Sequence, residues 1–221
     1  EKLDDNYIFY ASTKYGDLIE PFYHRQQKLY FETGIAKGLS QRVEFKHDSF
    51  DPLFNFLYYP NPESPDSDLR SSYKSSSVKL ITHWGRDETW LQNGNVRISL
   101  GARRAPIFDF AYTYGFDEVL DSDFSFHKIE FQMDHKLRLG LIGTSAYRLN
   151  AGYISGQIPY PLLENHVGNE SFFYTVGAFN TMNYSEFASD AYVSLRYYHS
   201  FQGLILNKIP LMKKLKWRLL W

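Results

Sequence analysis

The chain has 221 residues, of which 18% are aromatic, and its 24 basic and 25 acidic side chains give a formal net charge of −1. That balance gives no reason to expect a nucleic-acid partner, which would favour a basic domain. The absence of cysteine excludes both a disulfide framework and a thiolate metal site. Because no run of eighteen apolar residues occurs, the sequence also predicts no membrane-spanning helix.

Alternation of apolar and polar residues predicts an all-β chain. Strands are expected near 28–39, 42–59, 77–86, 106–116, 124–139, 143–155, 190–203 and 213–221, with one more near 7–15. Asn93-Gly94 predicts a small hairpin inside the segment 87–105. Residues 60–76 are polar and rich in proline and serine, which indicates an exposed loop.

The longest alternation runs over residues 128–139. Its polar row is Lys128, Glu130, Gln132, Asp134, Lys136 and Arg138, and its apolar row is Ile129, Phe131, Met133, His135, Leu137 and Leu139. The same two-residue period recurs at 107–116 and 191–201, where Arg196 falls on the polar side. These strands are longer than the five or six residues usual in soluble proteins and match the roughly 9–11 tilted residues that cross a bilayer.

We therefore predict an antiparallel transmembrane β-barrel of the outer-membrane type, partial and of about eight or nine strands. The apolar rows would face lipid, at Phe110, Tyr112, Ile129, Phe131, Val193 and Leu195. The polar row 128–138 and Arg196 would face the lumen. Loops 60–76, 117–123 and 156–189 would be external, and 38–41, 87–105, 140–143 and 204–212 periplasmic. The alternative is a soluble all-β protein that packs its aromatic rows into a core.

Residues 156–189 are too long for an ordinary connection and too apolar for a disordered one. We expect this segment to pack on the lumen-facing row, where Glu164, Asn169 or Asp190 would meet Arg138 or Arg196. A polar tunnel along that row is the alternative. The basic cluster near the end of the chain predicts an interfacial anchor or a contact with anionic lipid or a periplasmic partner. Its members are Lys208, Lys213, Lys214, Lys216 and Arg218.

The seven histidines give little support for catalysis, since neither a Gly-x-Ser-x-Gly elbow nor a His-Glu-x-x-His motif occurs. Glu164 and His166 lie two residues apart and could point the same way. We interpret both as polar loop contacts, with no nucleophile placed beside them. The sequence therefore predicts no enzyme activity and no catalytic, cofactor or metal site.

Several motifs, in order along the chain, resemble a large uncharacterised family of the Bacteroidota. The clearest is Pro159-Tyr-Pro-Leu-Leu-Glu-Asn-His-Val-Gly-Asn-Glu-Ser171, and the others are 104–115, 122–128, 178–195 and 207–218, with a weaker echo in 28–59. Full-length members of that family resemble outer-membrane barrels preceded by a carboxypeptidase-regulatory-like β-sandwich. The resemblance implies that 1–221 is a single barrel segment without the regulatory-like domain and the C-terminal strands.

That family is more distantly similar to BamA-like assembly barrels, in which a long external loop folds into the lumen ahead of a strand with a Glu-x-Arg-like element. Here 156–189 is the long loop and Ser194-Leu195-Arg196 lies in the following strand, while a Val-Arg-Gly-Phe-type motif is missing. The resemblance implies a role in envelope biogenesis or transport in the cell outer membrane, with outer-membrane lipid and proteins of a complex as partners. A lipid-modifying enzyme and a structural barrel subunit are the alternative predictions.

Overall fold

A computed structural model describes residues 22–59, 69–94, 96–169, 177–183 and 186–202, together with 175, 204, 208, 214, 219 and 220. These residues are almost entirely β-structure. The strands are β1 (Phe22–Ala36), β2 (Leu39–Pro52), β3 (Tyr73–Gly85), β4 (Glu88–Asn93), β5 (Val96–Ala102), β6 (Ile107–Phe116), β7 (Phe126–Arg138), β8 (Thr144–Ser155), β9 (Glu164–Asn165), β10 (Ala188–Ser189), β11 (Ala191–Gln202) and β12 (Leu219–Leu220). No helix within the described ranges is long and apolar enough to span a membrane.

One large antiparallel sheet dominates the fold, in the order β1-β2-β3-β6-β7-β8-β11-β12. Seven of these strands are long, and β12 adds two residues at one edge. Strands β4 and β5 form a separate hairpin, and β9 pairs with β10. The prediction of an all-β, antiparallel chain is confirmed, as is the hairpin at Asn93-Gly94. Among the described residues β1 does not pair with β11 or β12, so the sheet is open.

Most predicted strands are found within a few residues of their predicted bounds, and three differ more at one end. Strand β1 begins at Phe22 rather than near residue 28, because residues 22–27 pair with the last part of β2. Strand β2 ends at Pro52 rather than near residue 59, because proline has no backbone N–H to donate to the neighbouring strand. Strand β3 begins at Tyr73, inside the serine-rich stretch predicted as a loop. Ser76 is buried there, and its backbone N–H and hydroxyl donate to Ser122 Oγ at 2.9 Å and the Val119 carbonyl at 2.8 Å. Of the predicted terminal strands, 7–15 lies outside the described residues and only 219–220 of the last is described as a strand.

The strand register gives the sheet two unlike faces. One row of paired residues crosses six strands and consists of Phe31, Val43, Leu80, Tyr112, Ile129 and Tyr153. These side chains are between 37% and 70% exposed, and we call their side of the sheet the apolar face. The next row, one residue away along each strand and therefore on the opposite side, carries Glu32, Arg42 and Glu130, and we call that side the polar face.

The connections differ at the two ends of the long strands. At one end, the turn end, β1–β2 and β7–β8 are joined by short turns and the β4–β5 hairpin joins β3 to β6. At the other end, the loop end, the connections run from β2 to β3, from β6 to β7 and from β8 to β11. This alternation follows from antiparallel pairing of strands that are consecutive along the chain. It reproduces the predicted division of the connections into two sets.

The buried core lies at the loop end, on the polar side of the sheet. It is formed by Tyr73, Phe124, Phe126 and Ile154, against which Phe50, Phe56, Tyr58, Ile158, Leu162 and Leu163 pack. Tyr58 donates from its hydroxyl to the Ser72 carbonyl at 3.3 Å. Burial, reinforced by the nearby Asp123 carboxylate, raises the pKa of Tyr58 to about 12, so this phenol stays protonated at neutral pH.

Candidate functional site: the polar face and its covering segment

Charged side chains on the polar face form ion pairs, some within one strand and some between strands. Glu130 is at the centre, with Lys79 Nζ 2.6 Å from its Oε2 and Lys128 Nζ 3.1 Å from its Oε1. Asp134, further along the same strand β7, accepts two hydrogen bonds. Arg148 Nε on β8 donates to its Oδ1 at 2.5 Å, and Gln132 donates to its second oxygen at 2.7 Å. All of these groups except the exposed Arg148 are half-buried, so their contacts are partly shielded from solvent. Lys79 and Arg148 were absent from the predicted row, although the alternation in their strands places both on the same face.

Residues 156–169, which we call the covering segment, lie over the loop end of this face. Ile158, Leu162 and Leu163 pack against the buried core. Tyr160 meets Phe56 edge to face, with their ring centroids 5.9 Å apart. These apolar side chains are stabilised by removal from water, and packing on the sheet removes them.

A salt bridge ties the covering segment to the predicted lumen row. Glu164 Oε2 lies 2.8 Å from Lys128 Nζ, so Lys128 joins two carboxylates, Glu164 and Glu130. The predicted partners of this loop were Arg138 and Arg196. Arg196 does meet the loop, but through an aromatic ring, with its guanidinium carbon 5.1 Å from the centroid of Phe179. Lys136 and Arg138 instead lie exposed at the turn end.

The other predicted loop residues form hydrogen bonds and ring contacts within the loop and with the neighbouring strands. Asn169 is buried and donates from its amide to Asn180 Oδ1 at 2.7 Å, while its backbone N–H donates to the Met182 carbonyl. The Asp190 carbonyl accepts the N–H of Ile154 at 2.6 Å. His166 packs edge to face on Tyr192, with ring centroids 5.4 Å apart. Together these contacts hold residues 166–169 against residues 180–182 and against the start of β11.

A cavity of about 270 Å³ remains between the polar face and the covering segment. The sheet contributes Glu130, Gln132, Arg148, Asn150, Ser194 and Arg196, and the segment contributes Glu164, Asn165 and His166. The volume is at the lower limit for sites that bind drug-sized ligands. Its size and polar lining suit a few waters or a small polar solute, and are too small for a polypeptide strand or a lipid.

Three serine–histidine contacts occur among the described residues, and the sequence predicted none of them. In the first, His47 Nδ1 lies 2.9 Å from Ser76 Oγ, but this hydroxyl donates its proton to the Val119 carbonyl and so cannot give it to the imidazole. The other two bear on the possibility of catalysis. Ser189 Oγ lies 3.3 Å from His166 Nε2, so a hydroxyl that the sequence analysis did not identify lies beside the Glu164/His166 pair. On the apolar face, Ser145 Oγ lies 2.7 Å from His199 Nδ1, and His199 Nε2 donates to the Ile142 carbonyl at 3.3 Å. Positions 145 and 199 meet because they are register partners in β8 and β11, a relation that sequence spacing cannot reveal.

Neither contact has the geometry of a hydrolase. Ser145 and His199 are only 3% and 6% exposed, which bars a substrate carbonyl from the hydroxyl. Within the described ranges no carboxylate hydrogen-bonds to either imidazole, so a third group that would orient a catalytic base is missing there. The described residues also contain no group of three or more histidine, aspartate or glutamate side chains placed to hold a metal ion.

The predicted basic cluster near the end of the chain falls mostly outside the described residues. Of its members only Lys208 and Lys214 are described, and both are exposed.

Comparison with known proteins identifies one family. Residues 21–221 match the C-terminal domain of the family of unknown function DUF5686. The chain therefore belongs to that family. No curated protein matches the sequence.

Proposed function

We propose that this member of the DUF5686 family forms a transmembrane segment of an outer-membrane β-barrel and has a non-catalytic role in envelope biogenesis or transport. In this proposal the apolar face contacts lipid, the polar face lines the lumen, and the covering segment occupies part of that lumen. The role follows the layout of BamA-like assembly barrels, where a long loop folds inside the barrel ahead of a charged strand.

The observation that carries the proposal is the exposed row Phe31, Val43, Leu80, Tyr112, Ile129 and Tyr153. Six consecutive strands each place a large apolar or aromatic side chain at the same level, and each is at least 37% exposed. Soluble monomers rarely expose continuous apolar patches beyond a few hundred Å². Contact with lipid would make the exposure of this row favourable without a further layer of protein.

Strand length supports the same orientation. The seven long strands contain between 10 and 15 residues. At about 3.4 Å per residue and a tilt near 45°, a twelve-residue strand spans roughly 28 Å, close to the thickness of a bilayer core. Strands of a soluble sandwich need no such length.

The polar face supports a lumen that is filled rather than open. A carboxylate such as Glu130, bound by two lysines, would be costly to place against lipid but suits a hydrated or protein-filled interior. The covering segment adds a third charged partner through Glu164 and an apolar contact through Leu162. A wide passive channel would leave this face to water.

A direct test of the membrane orientation uses single nitroxide labels, because the chain has no native cysteine. Val193→Cys places the label on the apolar face and Ser194→Cys places it on the polar face of the same strand, one residue away. After reconstitution in phospholipid vesicles, the label at 193 should be relaxed strongly by oxygen and weakly by a polar nickel chelate. The label at 194 should show a much lower ratio of oxygen to chelate relaxation. Similar ratios at both sites, or a label at 193 shielded from both reagents, would overturn the orientation.

The role in biogenesis or transport needs a cellular test. Depletion of the protein in the bacterium that carries it should lower the amounts of other outer-membrane proteins or of an envelope component, as measured by quantitative proteomics and lipid analysis of the outer-membrane fraction. Complementation with the Ser145→Ala variant should restore the wild-type composition if the Ser145–His199 contact is structural. An unchanged envelope after depletion would refute the proposed role, and failure of Ser145→Ala alone, at normal protein level, would favour a lipid-modifying enzyme.

A further inference from the structure

A second and larger cavity lies at the turn end of the sheet. It has a volume of about 620 Å³ and is lined by Asp87, Arg103, Arg104, Lys136, Leu137 and Arg138. Lys136 and Arg138 come from the end of β7, while Arg103 and Arg104 come from the link between the β4–β5 hairpin and β6. Two elements far apart in sequence therefore bring four cations to one cavity.

These four cations differ from those of the polar face in having no ionic partner among the described residues. Lys79, Lys128 and Arg148 each lie within 3.1 Å of a carboxylate oxygen. Within the part of the chain that the structure describes, none of the four cations at the cavity forms a salt bridge. The only carboxylate in the lining, Asp87, accepts the backbone N–H groups of Arg104 at 2.8 Å and Ala105 at 3.1 Å. The cavity therefore carries an excess of positive charge, with four cations and one carboxylate in its lining.

The backbone that carries Arg103 and Arg104 is fixed from two sides. Asp87 holds it through the two N–H groups, and His135 Nε2 donates to the Arg104 carbonyl at 2.8 Å. Because a carbonyl only accepts, His135 carries its proton on Nε2, and its Nδ1 accepts from the Tyr147 hydroxyl at 2.6 Å. A cationic site on a fixed backbone loses less conformational entropy when an anion binds.

Apolar side chains border the same cavity. Leu137 lines it and belongs to the exposed apolar face. The following turn carries Leu139, Leu141 and Ile142, and Leu141 and Ile142 are 90% and 55% exposed. A free phosphate or carboxylate needs no apolar neighbour, whereas a lipid places its acyl chains directly beside an anionic headgroup.

We propose that this cavity binds the phosphate headgroup of an anionic phospholipid, with Arg103, Arg104, Lys136 and Arg138 as its ligands. The acyl chains would lie along Leu137 and the apolar face. Lys136 and Arg138 belong to the polar row, but β6 pairs with β7 only as far as Asp134, so beyond that residue the sheet no longer separates its two faces on the β6 side. This inference rests on the proposed membrane orientation, which sets the turn end at the level of the headgroups. Arginine suits the role because its planar guanidinium binds two phosphate oxygens at once.

The test compares lipid association of the full chain in phosphatidylcholine vesicles that contain spin-labelled phosphatidylglycerol or spin-labelled phosphatidylcholine. The wild type should bind labelled phosphatidylglycerol several-fold more strongly. Arg103→Gln/Arg138→Gln should lower this preference at least about fivefold, since each cation near the membrane surface contributes substantially to binding. The matched control is Arg25→Gln/Lys37→Gln, which removes the same charge from two exposed positions outside the cavity and should leave the preference within twofold.

Each outcome decides the proposal. Equal association of the two labelled lipids with the wild type, or an equal loss in the control double variant, would overturn it. Displacement of labelled phosphatidylglycerol by millimolar inorganic phosphate at constant ionic strength would show a site for free anions and overturn the lipid assignment. Flotation with pure phosphatidylcholine vesicles measures insertion separately. A chain that floats without preferring the anionic lipid refutes only this inference, and a chain that does not float refutes the membrane orientation as well.

Discussion

Replacing Leu195 by arginine tests which solvent surrounds the apolar face. Leu195 lies near the middle of the twelve-residue strand β11 and is 65% exposed, so it makes few contacts with the rest of the chain. If that face were in water, an exposed Leu→Arg substitution would change stability by no more than about 0.5 kcal/mol. In lipid, arginine near the bilayer midplane costs about 2–4 kcal/mol. Because Leu195 is highly exposed, its replacement removes little packing in water or in lipid. The difference between the two expected changes in stability therefore comes from the solvent around the apolar face.

The matched control is Gln132→Arg on the polar face. Gln132 lies beside Glu130 and Asp134 on its own strand and opposite Asp109 on β6, so a cation there has three carboxylates as strand neighbours, against the two cations Arg148 and Arg196 that line the same cavity. Glu130 would be a poor control, since its carboxylate is bound by Lys79 and Lys128 and a charge reversal would bring three cations together.

The measurement is the free energy of unfolding of the chain in phospholipid vesicles, from guanidinium titrations followed by tryptophan fluorescence. We expect Leu195→Arg to be destabilised by about 2–4 kcal/mol and Gln132→Arg by less than about 1 kcal/mol. A Leu195→Arg variant within about 0.5 kcal/mol of the wild type, or equal losses at the two sites, would refute the assignment of the apolar face to lipid.

Three further predictions concern the elements that hold the sheet and its covering segment. In a double-mutant cycle, Lys128→Met and Glu164→Gln should show a coupling free energy of about 1–2 kcal/mol, and coupling near zero would mean that the salt bridge does not hold the segment. Gly140→Ala should lower the free energy of unfolding by about 1 kcal/mol, because alanine is strained at the positive φ of this residue. Gly143→Ala should lower it by clearly more, because the added Cβ would lie 2.0 Å from the Ser200 carbonyl oxygen. Equal unfolding free energies for the two alanine variants would contradict that close approach. Tyr73→Ala should lower the free energy of unfolding by about 3–5 kcal/mol, as for other large buried aromatics. The same variant should be cleaved faster by proteases within 156–169, because that segment packs on the core to which Tyr73 belongs. Unchanged cleavage rates would show that the order of the segment does not depend on Tyr73.

The sequence predicts most of the fold because the alternation of side chains is a local property. The row Lys128 to Arg138 identifies both faces of β7, and Asn93-Gly94 identifies the small hairpin. The start of β3 escaped prediction because serines carry no hydropathy signal, although the small size of Ser76 is what allows the chain near Val119 to pack against it. The site was harder to predict for a different reason. Which cation meets Glu164 depends on the register of β7 and on the path of the covering segment, and neither can be read from residue spacing.

Movement of the covering segment can be tested by locking it to the sheet. The ends of the Lys128 and Glu164 side chains meet at 2.8 Å, on β7 and on the segment respectively. Lys128→Cys/Glu164→Cys therefore adds the only two thiols in a cysteine-free chain, and a short bis-methanethiosulfonate reagent should join them reversibly. If the proposed role requires the segment to leave the polar face, the cross-linked protein should fail to restore the envelope of depleted cells and a reducing agent should recover the function. Each single-cysteine variant treated with the same reagent controls for loss of the salt bridge. Full restoration by the cross-linked protein would mean that the segment stays fixed on the polar face, and that any passage or assembly takes place elsewhere on the protein.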